Sequence, residues 1–339
     1  MPPEKTRRAS GKKNLLTVAV DDNMAFPLCV VLSSMKRHAA SPFSLVVGHL
    51  QGSLTDENLR LIKEVAETLG IPVVFRELEP DALFISQGHI SPTTFTKFLL
   101  SDAIPDSHLW IDADTIVHSG WDQLFDLVRS APATAELVVA QRGYRGNKSV
   151  TRTDDPSLLA FNAGVLGWPN APRRPWRDAL AVLDSFATQE QYLLNHLYSG
   201  ATFAVPESYN TLTYRVDRVP PGEIPFILHF AGAHKPWHLH RSLSHLCEEY
   251  GCPWALWFLE ERYLFENMTN SSLRGRLGRA QKQALKSSRF RPGRDFSGLN
   301  LVTTLRLMGP FKVPLTRLLR GLSSKVPRGT HPLHPKRLT

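Results

Sequence analysis

The sequence predicts an α/β fold in which a mostly parallel central sheet is flanked by helices. Short apolar runs alternate with longer segments whose apolar residues recur at helical spacing, from Leu15 as far as Ile111. This alternation of strands and helices is typical of parallel sheets that are covered on both faces. Polar residues directly follow the first and the fourth apolar run, and such folds bind ligands at the carboxyl ends of their strands.

The first half of the chain supplies four predicted strands and three predicted helices. Acidic residues after Thr55 and the glycine at position 70 mark the two ends of the second helix. The predicted ranges are strands at 15–20, 43–47, 73–75 and 109–111, and helices at 24–38, 55–69 and 92–104.

After Asp114 the alternation gives way to shorter elements. The predicted ranges are strands at 137–140, 161–166 and 226–230, and helices at 121–129, 175–186, 190–198 and 253–265. From about Thr269 the composition shifts to Ser, Arg, Gly and Lys, which predicts a linker. We therefore divide the chain into a disordered basic N-terminus (1–13), one folded domain (14–268), a basic linker (269–298) and a basic amphipathic tail (299–339).

The formal net charge of +9 is concentrated towards the end of the chain, because Asp295 is the single acidic residue from Arg274 onward. Such a tail predicts an anionic partner, a membrane surface or nucleic acid, and a merely solvated tail is the alternative. The three cysteines form no metal-binding pattern, and no apolar run reaches the roughly 18 residues of a membrane span. With no signal peptide predicted either, we expect a cytoplasmic protein.

The stretch most informative about function is 108–116, where an apolar run ends in Asp112 and Asp114. Two carboxylates this close repel each other unless a positive charge neutralises them. Mg²⁺ and Mn²⁺ typically bind through one or two protein carboxylates together with substrate phosphates. The alternative is a solvated loop in which the aspartates cap a helix.

Six short motifs along the chain, one of which contains Asp112 and Asp114, give further information about function. They are Ala-Val-Asp-Asp-Asn at 19–23, the segment at 89–98, Ile-Asp-Ala-Asp at 111–114, Phe-Asn-Ala-Gly-Val at 161–165, Glu-Gln-Tyr-Leu-Leu-Asn at 190–195, and the segment at 229–237. In this order they resemble the family 8 glycosyltransferases, which include glycogenin and bacterial lipopolysaccharide galactosyl- and glucosyltransferases. The resemblance implies a GT-A type fold, a UDP-linked sugar donor, and transfer with retention of anomeric configuration.

The resemblance also implies a Mn²⁺ site formed by Asp112, Asp114 and His229, with Mg²⁺ as the alternative ion. A cation at this position would stabilise the nucleoside diphosphate that leaves the sugar. An imidazole beside carboxylates suits Mn²⁺ better than Mg²⁺. Without the resemblance, His229 would be interpreted as a core histidine at the end of a strand.

Further residues are assigned to the donor by the same resemblance. Asp21 and Asn23 would hold the uracil and ribose, although either could instead cap the helix that follows. Gly232 would let the backbone approach the diphosphate, and Lys235 would supply positive charge, the alternative being an ordinary surface lysine. Lys97 stands where relatives often carry arginine, and would contact the donor phosphate and sugar.

The catalytic residues implied by the resemblance are Glu190 and Gln191, which would line the donor sugar with Asn162. Gln191 would lie nearest the anomeric carbon, where it could stabilise an oxocarbenium-like transition state, although an amide is a poor nucleophile. A front-face route, in which the leaving phosphate takes the acceptor proton, needs no protein base, and the sequence leaves both routes open. Many relatives carry Asp-Gln-Asp where this chain has Glu-Gln-Tyr at 190–192, which leaves the identity of the sugar open.

We therefore predict a hexosyltransferase that moves galactose or glucose from a UDP-sugar to a saccharide or lipid-linked acceptor. The apolar and basic residues at 299–322 predict attachment to the inner face of an anionic membrane, although Pro310 and Pro314 prevent one continuous helix.

Four competing hypotheses rank below this prediction. A nucleotidyltransferase would want a glycine-rich basic loop after the first strand, which residues 21–25 do not provide. A basic polyanion-binding protein, a catalytically inactive relative of the fold, and an enzyme that glycosylates its own tyrosine stay open. We expect no nucleic acid partner.

Overall fold

The computed structural model describes residues 13–84, 91–140, 161–182, 190–213, 224–232, 235–239 and 253–287. The predictions for 1–12 and for the tail at 299–339 lie outside these ranges. No helix within them combines the length and the apolar character that crossing a membrane requires.

Ten strands of the described chain form two sheets. They are β1 (Leu15–Ala19), β2 (Ser44–Leu50), β3 (Val73–Leu78), β4 (His108–Ile111), β5 (Thr115–Val117), β6 (Leu137–Ala140), β7 (Val165–Trp168), β8 (Thr202–Val205), β9 (Thr211–Leu212) and β10 (Ile227–His229). The larger sheet has the order β3-β2-β1-β4-β7-β6-β8, and the smaller has the order β5-β10-β9. In the larger sheet β7 runs antiparallel to both neighbours, while the other pairs are parallel. The predicted mostly parallel α/β sheet is confirmed.

Helices cover both faces of the larger sheet. The described helices are α1 (Ala25–His38), α2 (Asp56–Thr68), α3 (Thr96–Ala103), α4 (Leu124–Arg129), α5 (Trp176–Val182), α6 (Glu190–Leu197), α7 (Trp254–Asn267) and α8 (Ser271–Ser287). Side chains of the central strand β4 alternate between two cores: Leu109 and Ile111 join the core with α1, α2 and α7, whereas Trp110 joins the core with α3, α5 and α6. Burial on both faces explains why the central strands β4, β6 and β7 are almost entirely apolar.

The local sequence explains where several helices begin. The Thr55 side chain accepts a hydrogen bond from the Asn58 backbone N–H and caps α2, which is followed by Gly70 at a φ of +65°. The helix predicted at 92–104 is divided into a 3₁₀ turn, Pro92–Phe95, and α3. A second 3₁₀ turn, Asp22–Met24, connects β1 to α1.

Strand direction brings the motifs to one edge of the larger sheet. Because β1 and β4 are parallel, with Thr17 opposite Trp110, the residues that follow both strands lie at the same edge. Since β7 is antiparallel to β4, the residues that precede β7 also lie there, and the Gly164 carbonyl accepts from the Asp112 N–H at 2.8 Å. β10 pairs with β5 and places His229 opposite Thr115, next to the acidic residues.

The structure corrects the strand predicted at 161–166, because β7 begins only at Val165. The Asn162 side chain accepts a hydrogen bond from the Gly164 N–H at 3.0 Å. A side chain that bonds to its own backbone two residues further on favours a turn over a sheet ladder. Asn162 therefore begins the turn that leads into the strand, and Phe161 precedes that turn.

The structure also corrects the linker predicted at 269–298, because residues 271–287 form helix α8. Its buried residues Leu273, Leu277, Ala280 and Ala284 recur at helical spacing within a basic sequence. They join the core beside α1 and α2, and Arg276 forms an ion pair with Glu64 of α2. The Arg, Gly and Ser content of the segment obscures this periodicity.

We predict that Leu277→Ala destabilises the protein by about 2–5 kcal/mol, because the completely buried leucine would leave a cavity under α8. Urea unfolding followed by circular dichroism measures the change. Exposed Lys282 on the same helix supplies the control, and Lys282→Ala should change stability by less than about 0.5 kcal/mol. Equal stability of the Leu277→Ala variant and the parent would contradict the docking of α8.

Candidate functional site

Three of the predicted site residues form one cluster. Asp112 follows β4, Asp114 directly precedes β5, and His229 ends β10. One potential ligand atom from each of the three residues lies within 4.8 Å of the others. Two carboxylates and an imidazole are donors that suit Mn²⁺, so the residues present fit the divalent cation that was predicted.

The charge of Asp114 is matched inside the protein. The Lys235 ammonium donates to Asp114 Oδ2 and to the Phe230 carbonyl at 2.8 Å, and His229 Nε2 lies 3.2 Å from Asp114 Oδ1. Burial alone would raise the pKa of Asp114, but Lys235 and His229 outweigh it and hold that pKa below its usual range. Asp114 is therefore ionised at neutral pH.

The negative charge of Asp112 is less well compensated than that of Asp114. Burial raises its pKa, and the Lys97 ammonium, 3.8 Å from Oδ1, only partly opposes that effect. The Trp110 indole N–H donates to Asp112 Oδ1 at 2.6 Å and fixes the orientation of the carboxylate. Because part of the negative charge of Asp112 stays uncompensated beside a second carboxylate, binding of a cation between the two is strongly favoured.

Gly164 is required by the packing around His229. A Cβ atom at position 164 would lie 2.1 Å from His229 Cε1 and 2.6 Å from His229 Nδ1, which is far inside van der Waals contact. The imidazole is buried and cannot move aside freely. The glycine of the Phe-Asn-Ala-Gly motif therefore provides the space that His229 occupies.

Lys97 is enclosed by protein in this structure. Its side chain has no exposed area, and its Nζ lies 3.1 Å from the Ala163 carbonyl and 3.3 Å from Glu190 Oε1. The ammonium thus neutralises Glu190 and, at the longer distance, Asp112. The contact between Lys97 and a sugar donor stays a prediction, because the described contacts of this ammonium are all internal.

The predicted sugar-lining residues meet at the beginning of α6. The Asn162 side-chain amide donates to Gln191 Oε1 at 2.8 Å, and the Ala163 N–H donates to the same oxygen at 3.2 Å. Asn195 holds the two segments together, since its side chain bonds to both backbone groups of Phe161 and to the Gln191 carbonyl.

The residues predicted to hold the nucleoside lie at the end of β1. Asp21 Oδ1 accepts from the Asn23 N–H at 3.0 Å, so the capping interpretation is confirmed for Asp21. Burial raises the pKa of Asp21, while hydrogen bonds from the backbone and from Ser91 lower it. Asn23 is exposed. Their contacts with a nucleoside stay predictions.

Gly232 has a φ of +101°, a conformation that favours glycine, and lies shortly after β10. A Cβ atom there would meet no atom of the described residues within 4 Å, so these residues leave the backbone open to approach by a ligand. Lys235, three residues further on, is largely buried against Asp114 and is not an ordinary surface lysine.

Sequence reasoning missed two residues of the site. Asn210, which is buried, accepts from His229 Nδ1 at 2.9 Å, and Trp110 bonds to Asp112. Trp110 could have been found, because side chains two residues apart on a strand lie on the same face. Asn210 carries no recognisable signal, since it lies in an irregular segment before the two-residue strand β9.

Fold and site together define an α/β protein with a candidate divalent metal site at the carboxyl edge of its sheet. The family model described as Glycosyl transferase family 8 matches residues 15–240, which is more than half of the 339 residues. The chain belongs to glycosyl transferase family 8, and the predictions of this family and of a glycosyltransferase enzyme are confirmed.

Two curated relatives support this membership. Lipopolysaccharide 1,2-glucosyltransferase of Escherichia coli K12 is 30% identical over 155 residues, which is 39% of this chain and 44% of the relative. This match therefore spans less than half the length of the E. coli protein. General stress protein A of Bacillus subtilis 168 is 23% identical over 246 residues, 64% of this chain and 85% of the relative.

Solved structures confirm the fold. The galactosyltransferase LgtC, determined with donor and acceptor sugar analogs, superposes with a TM-score of 0.59 at 20% identity, covering 77% of this chain and 99% of LgtC. The bifunctional glycosyltransferase WbbM superposes with a TM-score of 0.53 at 15% identity, covering 80% of this chain and 52% of WbbM. The GT-A type architecture predicted from the sequence is therefore confirmed.

We predict that Lys97→Met destabilises the protein by about 3–5 kcal/mol in the absence of any donor, because two carboxylates lose their buried cation. Thermal and urea unfolding measure the loss. The double variant Lys97→Met/Glu190→Gln, which also removes one of the unpaired charges, should recover part of it. Unchanged stability together with a raised KM for a donor would show instead that Lys97 mainly contacts substrate.

We predict that Gly164→Ala lowers Mn²⁺ affinity by about tenfold or more, because the new methyl group displaces His229 from the two carboxylates. Isothermal titration with Mn²⁺ measures the affinity. Gly278→Ala on α8, where a Cβ atom would meet no described residue within 4 Å, is the control that should bind Mn²⁺ like the parent. Parent-like Mn²⁺ binding by the Gly164→Ala variant would contradict the placement of His229 in the site.

Proposed function

We propose that the protein is a retaining hexosyltransferase that moves galactose or glucose from a UDP-sugar to a saccharide or lipid-linked acceptor, assisted by Mn²⁺ or Mg²⁺. The observation that carries the proposal is the cluster of Asp112, Asp114 and His229, in a chain that belongs to a glycosyltransferase family. The name of the E. coli relative supports a hexose as the transferred sugar, and the analogs bound to LgtC support a pair of sugar ligands.

The residues that would hold the metal are Asp112, Asp114 and His229. A divalent cation would supply positive charge to the departing diphosphate. Lys235 would add a second positive charge once it exchanges its contact with Asp114 for the diphosphate. Gly232 supports this arrangement, because no described residue crowds the backbone at that position.

The orientation of Gln191 favours the front-face route. Its Oε1 atom accepts two hydrogen bonds from the Asn162 amide and the Ala163 N–H, which occupy the lone pairs that a nucleophile would use. Among the described residues, its Nε2 group has no hydrogen-bond partner, so it is able to donate to an oxygen of the donor.

In this route the bond between the anomeric carbon and the phosphate oxygen breaks, and the acceptor hydroxyl oxygen bonds to the same face of the carbon. The acceptor proton passes to the phosphate oxygen that leaves, so no protein base is consumed. The buried Lys97 would hold Glu190 in place beside the sugar site, where a carboxylate stabilises developing positive charge.

We predict that the protein hydrolyses one member of a panel of UDP-sugars slowly and only when Mn²⁺ is present, with UDP release as the readout. Asp114→Asn should lower this rate at least about a hundredfold, because it removes the ionised ligand between His229 and Lys235. The exposed carboxylate of Asp126 supplies the control, and Asp126→Asn should keep the parent rate.

Hydrolysis of several UDP-sugars without any need for a metal would contradict the proposed role of the metal. The absence of hydrolysis, combined with the absence of Mn²⁺-dependent UDP binding, would instead support an inactive relative or a polyanion-binding protein.

We further propose that the tail at 299–339 attaches the protein to the inner face of an anionic membrane in the cytoplasm. Support comes from its composition of apolar and basic residues, with no acidic residue in that range. Helix α8 is excluded from the proposed anchor, because its apolar residues pack into the core.

We predict that truncation after Ser287 releases the protein from vesicles that contain phosphatidylglycerol, while Mn²⁺-dependent UDP binding stays within about twofold of the parent. Truncation after Asn267 would be a poor test, because it removes the buried residues of α8. Cosedimentation with vesicles measures binding, and neutral phosphatidylcholine vesicles are the control. Full binding of the truncated protein to anionic vesicles would contradict the role of the tail.

A further inference from the structure

We infer that Asn210 is a positioning residue that orients the imidazole of His229 and, through Asn162, the amide of Gln191. This inference rests on the proposed function, because it concerns the proposed metal ligand and the proposed sugar-lining glutamine. It adds a residue that none of the six sequence motifs contains.

Four side chains form a continuous series of hydrogen bonds across the site. His229 Nδ1 lies 2.9 Å from Asn210 Oδ1, and Asn210 Nδ2 lies 3.1 Å from Asn162 Oδ1. The Asn162 amide nitrogen in turn lies 2.8 Å from Gln191 Oε1. The series therefore connects the end of β10 to the beginning of α6.

The backbone determines which way each amide in the series faces. The Gly164 N–H can only donate, so the Asn162 atom 3.0 Å from it must be the oxygen. The Ala163 N–H likewise identifies the contacting atom of Gln191 as its oxygen. The Asn162 carbonyl can only accept, so the Asn210 atom 3.3 Å from it must be the nitrogen.

These assignments determine the proton position on His229. Because the Asn210 oxygen faces Nδ1, that ring nitrogen must be the donor, and Nε2 is directed towards Asp114. With a proton held on Nδ1, the lone pair of Nε2 is available to a cation that takes the place of a proton on that atom. Asn210 thus selects the tautomer that a metal ligand needs.

Burial makes the arrangement rigid. Asn210 is 2% exposed, its oxygen accepts from His229, and its amide nitrogen has two acceptors, the side-chain and backbone oxygens of Asn162. Turning the amide over would place donor against donor and acceptor against acceptor in a buried site. The same amide therefore holds His229 towards the metal cluster and Asn162 towards Gln191.

Two substitutions at position 210 separate the effect of Asn210 on His229 from its effect on Asn162. Asn210→Ala removes the partners of both His229 and Asn162. Asn210→Asp keeps an acceptor for His229 Nδ1 but places a carboxylate against Asn162 Oδ1, which also accepts. The control is Thr211→Val, because the Thr211 hydroxyl is buried next to Asn210 but bonds only to the Glu207 carbonyl among described residues.

The first measurement is Mn²⁺ affinity in the absence of a sugar donor, obtained from the electron paramagnetic resonance signal of the free ion. The second measurement is kcat and KM for the UDP-sugar. Asn210→Ala should weaken Mn²⁺ binding about 10- to 100-fold and lower kcat as well. Asn210→Asp should bind Mn²⁺ within about threefold of the parent but lose about tenfold or more in kcat, with a smaller change in KM. Thr211→Val should match the parent in both measurements.

Parent-like Mn²⁺ affinity and kcat in the Asn210→Asp variant, or in a folded Asn210→Ala variant, would overturn the inference. It would also be overturned if Thr211→Val lost as much Mn²⁺ affinity as Asn210→Ala, because the effect would then reflect general loosening of β9. If Asn210→Ala does not fold, Asn210→Asp, which preserves size and shape, decides the question. A parent protein that binds no Mn²⁺ would overturn the proposed function itself, a result distinct from any of these.

Discussion

The site depends on the neutralisation of two carboxylates that one short strand places side by side. Asp112 and Asp114 follow β4 at the edge of the sheet, and neither charge is stable there alone. The protein supplies one cation to each, Lys97 to Asp112 and Lys235 to Asp114. The two cations differ in exposure: Lys97 has no exposed side-chain area, whereas Lys235 is 16% exposed at its side chain. Because of this difference, Lys97 is suited to permanent neutralisation of buried carboxylates. Lys235 is suited to changing its partner when an anionic ligand binds.

The second constraint is the close approach of two chain segments. His229 reaches Asp114 because β10 runs antiparallel to β5, and it fits there because residue 164 has no side chain. Reversal of strand direction at β7 brings the turn with Asn162 and Gly164 to the same edge as the carboxylates. One antiparallel strand in an otherwise parallel sheet thus allows the turn at 162–164 to meet the carboxylates and His229.

The sequence was sufficient to predict the helices and strands whose hydrophobic pattern is contained in a short stretch of chain. The strands from β1 to β4 and the helices between them were predicted within a few residues, because their apolar periodicity is strong. Asp112 and Asp114 came from the pattern of the residues themselves, and the motif resemblance added His229, which nothing local distinguishes from a core histidine. The structure then placed the three side chains within reach of one another.

The features that could not be predicted from the sequence depend on contacts between residues that are far apart in the chain. The burial of Lys97 follows from its position between Asp112 and Glu190, which are 15 and 93 positions away in the chain. Asn210 belongs to no periodic pattern, and its role appears only when β9 lies beside β10. Helix α8 was missed because its charged composition resembles a linker, although its leucines and alanines are spaced for packing. Such features are properties of the assembled fold.

The central claim is that Asp112, Asp114 and His229 bind one divalent cation together. Electron spin echo envelope modulation of the Mn²⁺ complex with UDP tests it most directly, because it detects a nitrogen nucleus bonded to the ion. The account predicts a ¹⁴N signal from one imidazole in the parent protein and its loss in the His229→Gln variant. Bound Mn²⁺ with no nitrogen signal, or a signal that persists in the variant, would contradict it.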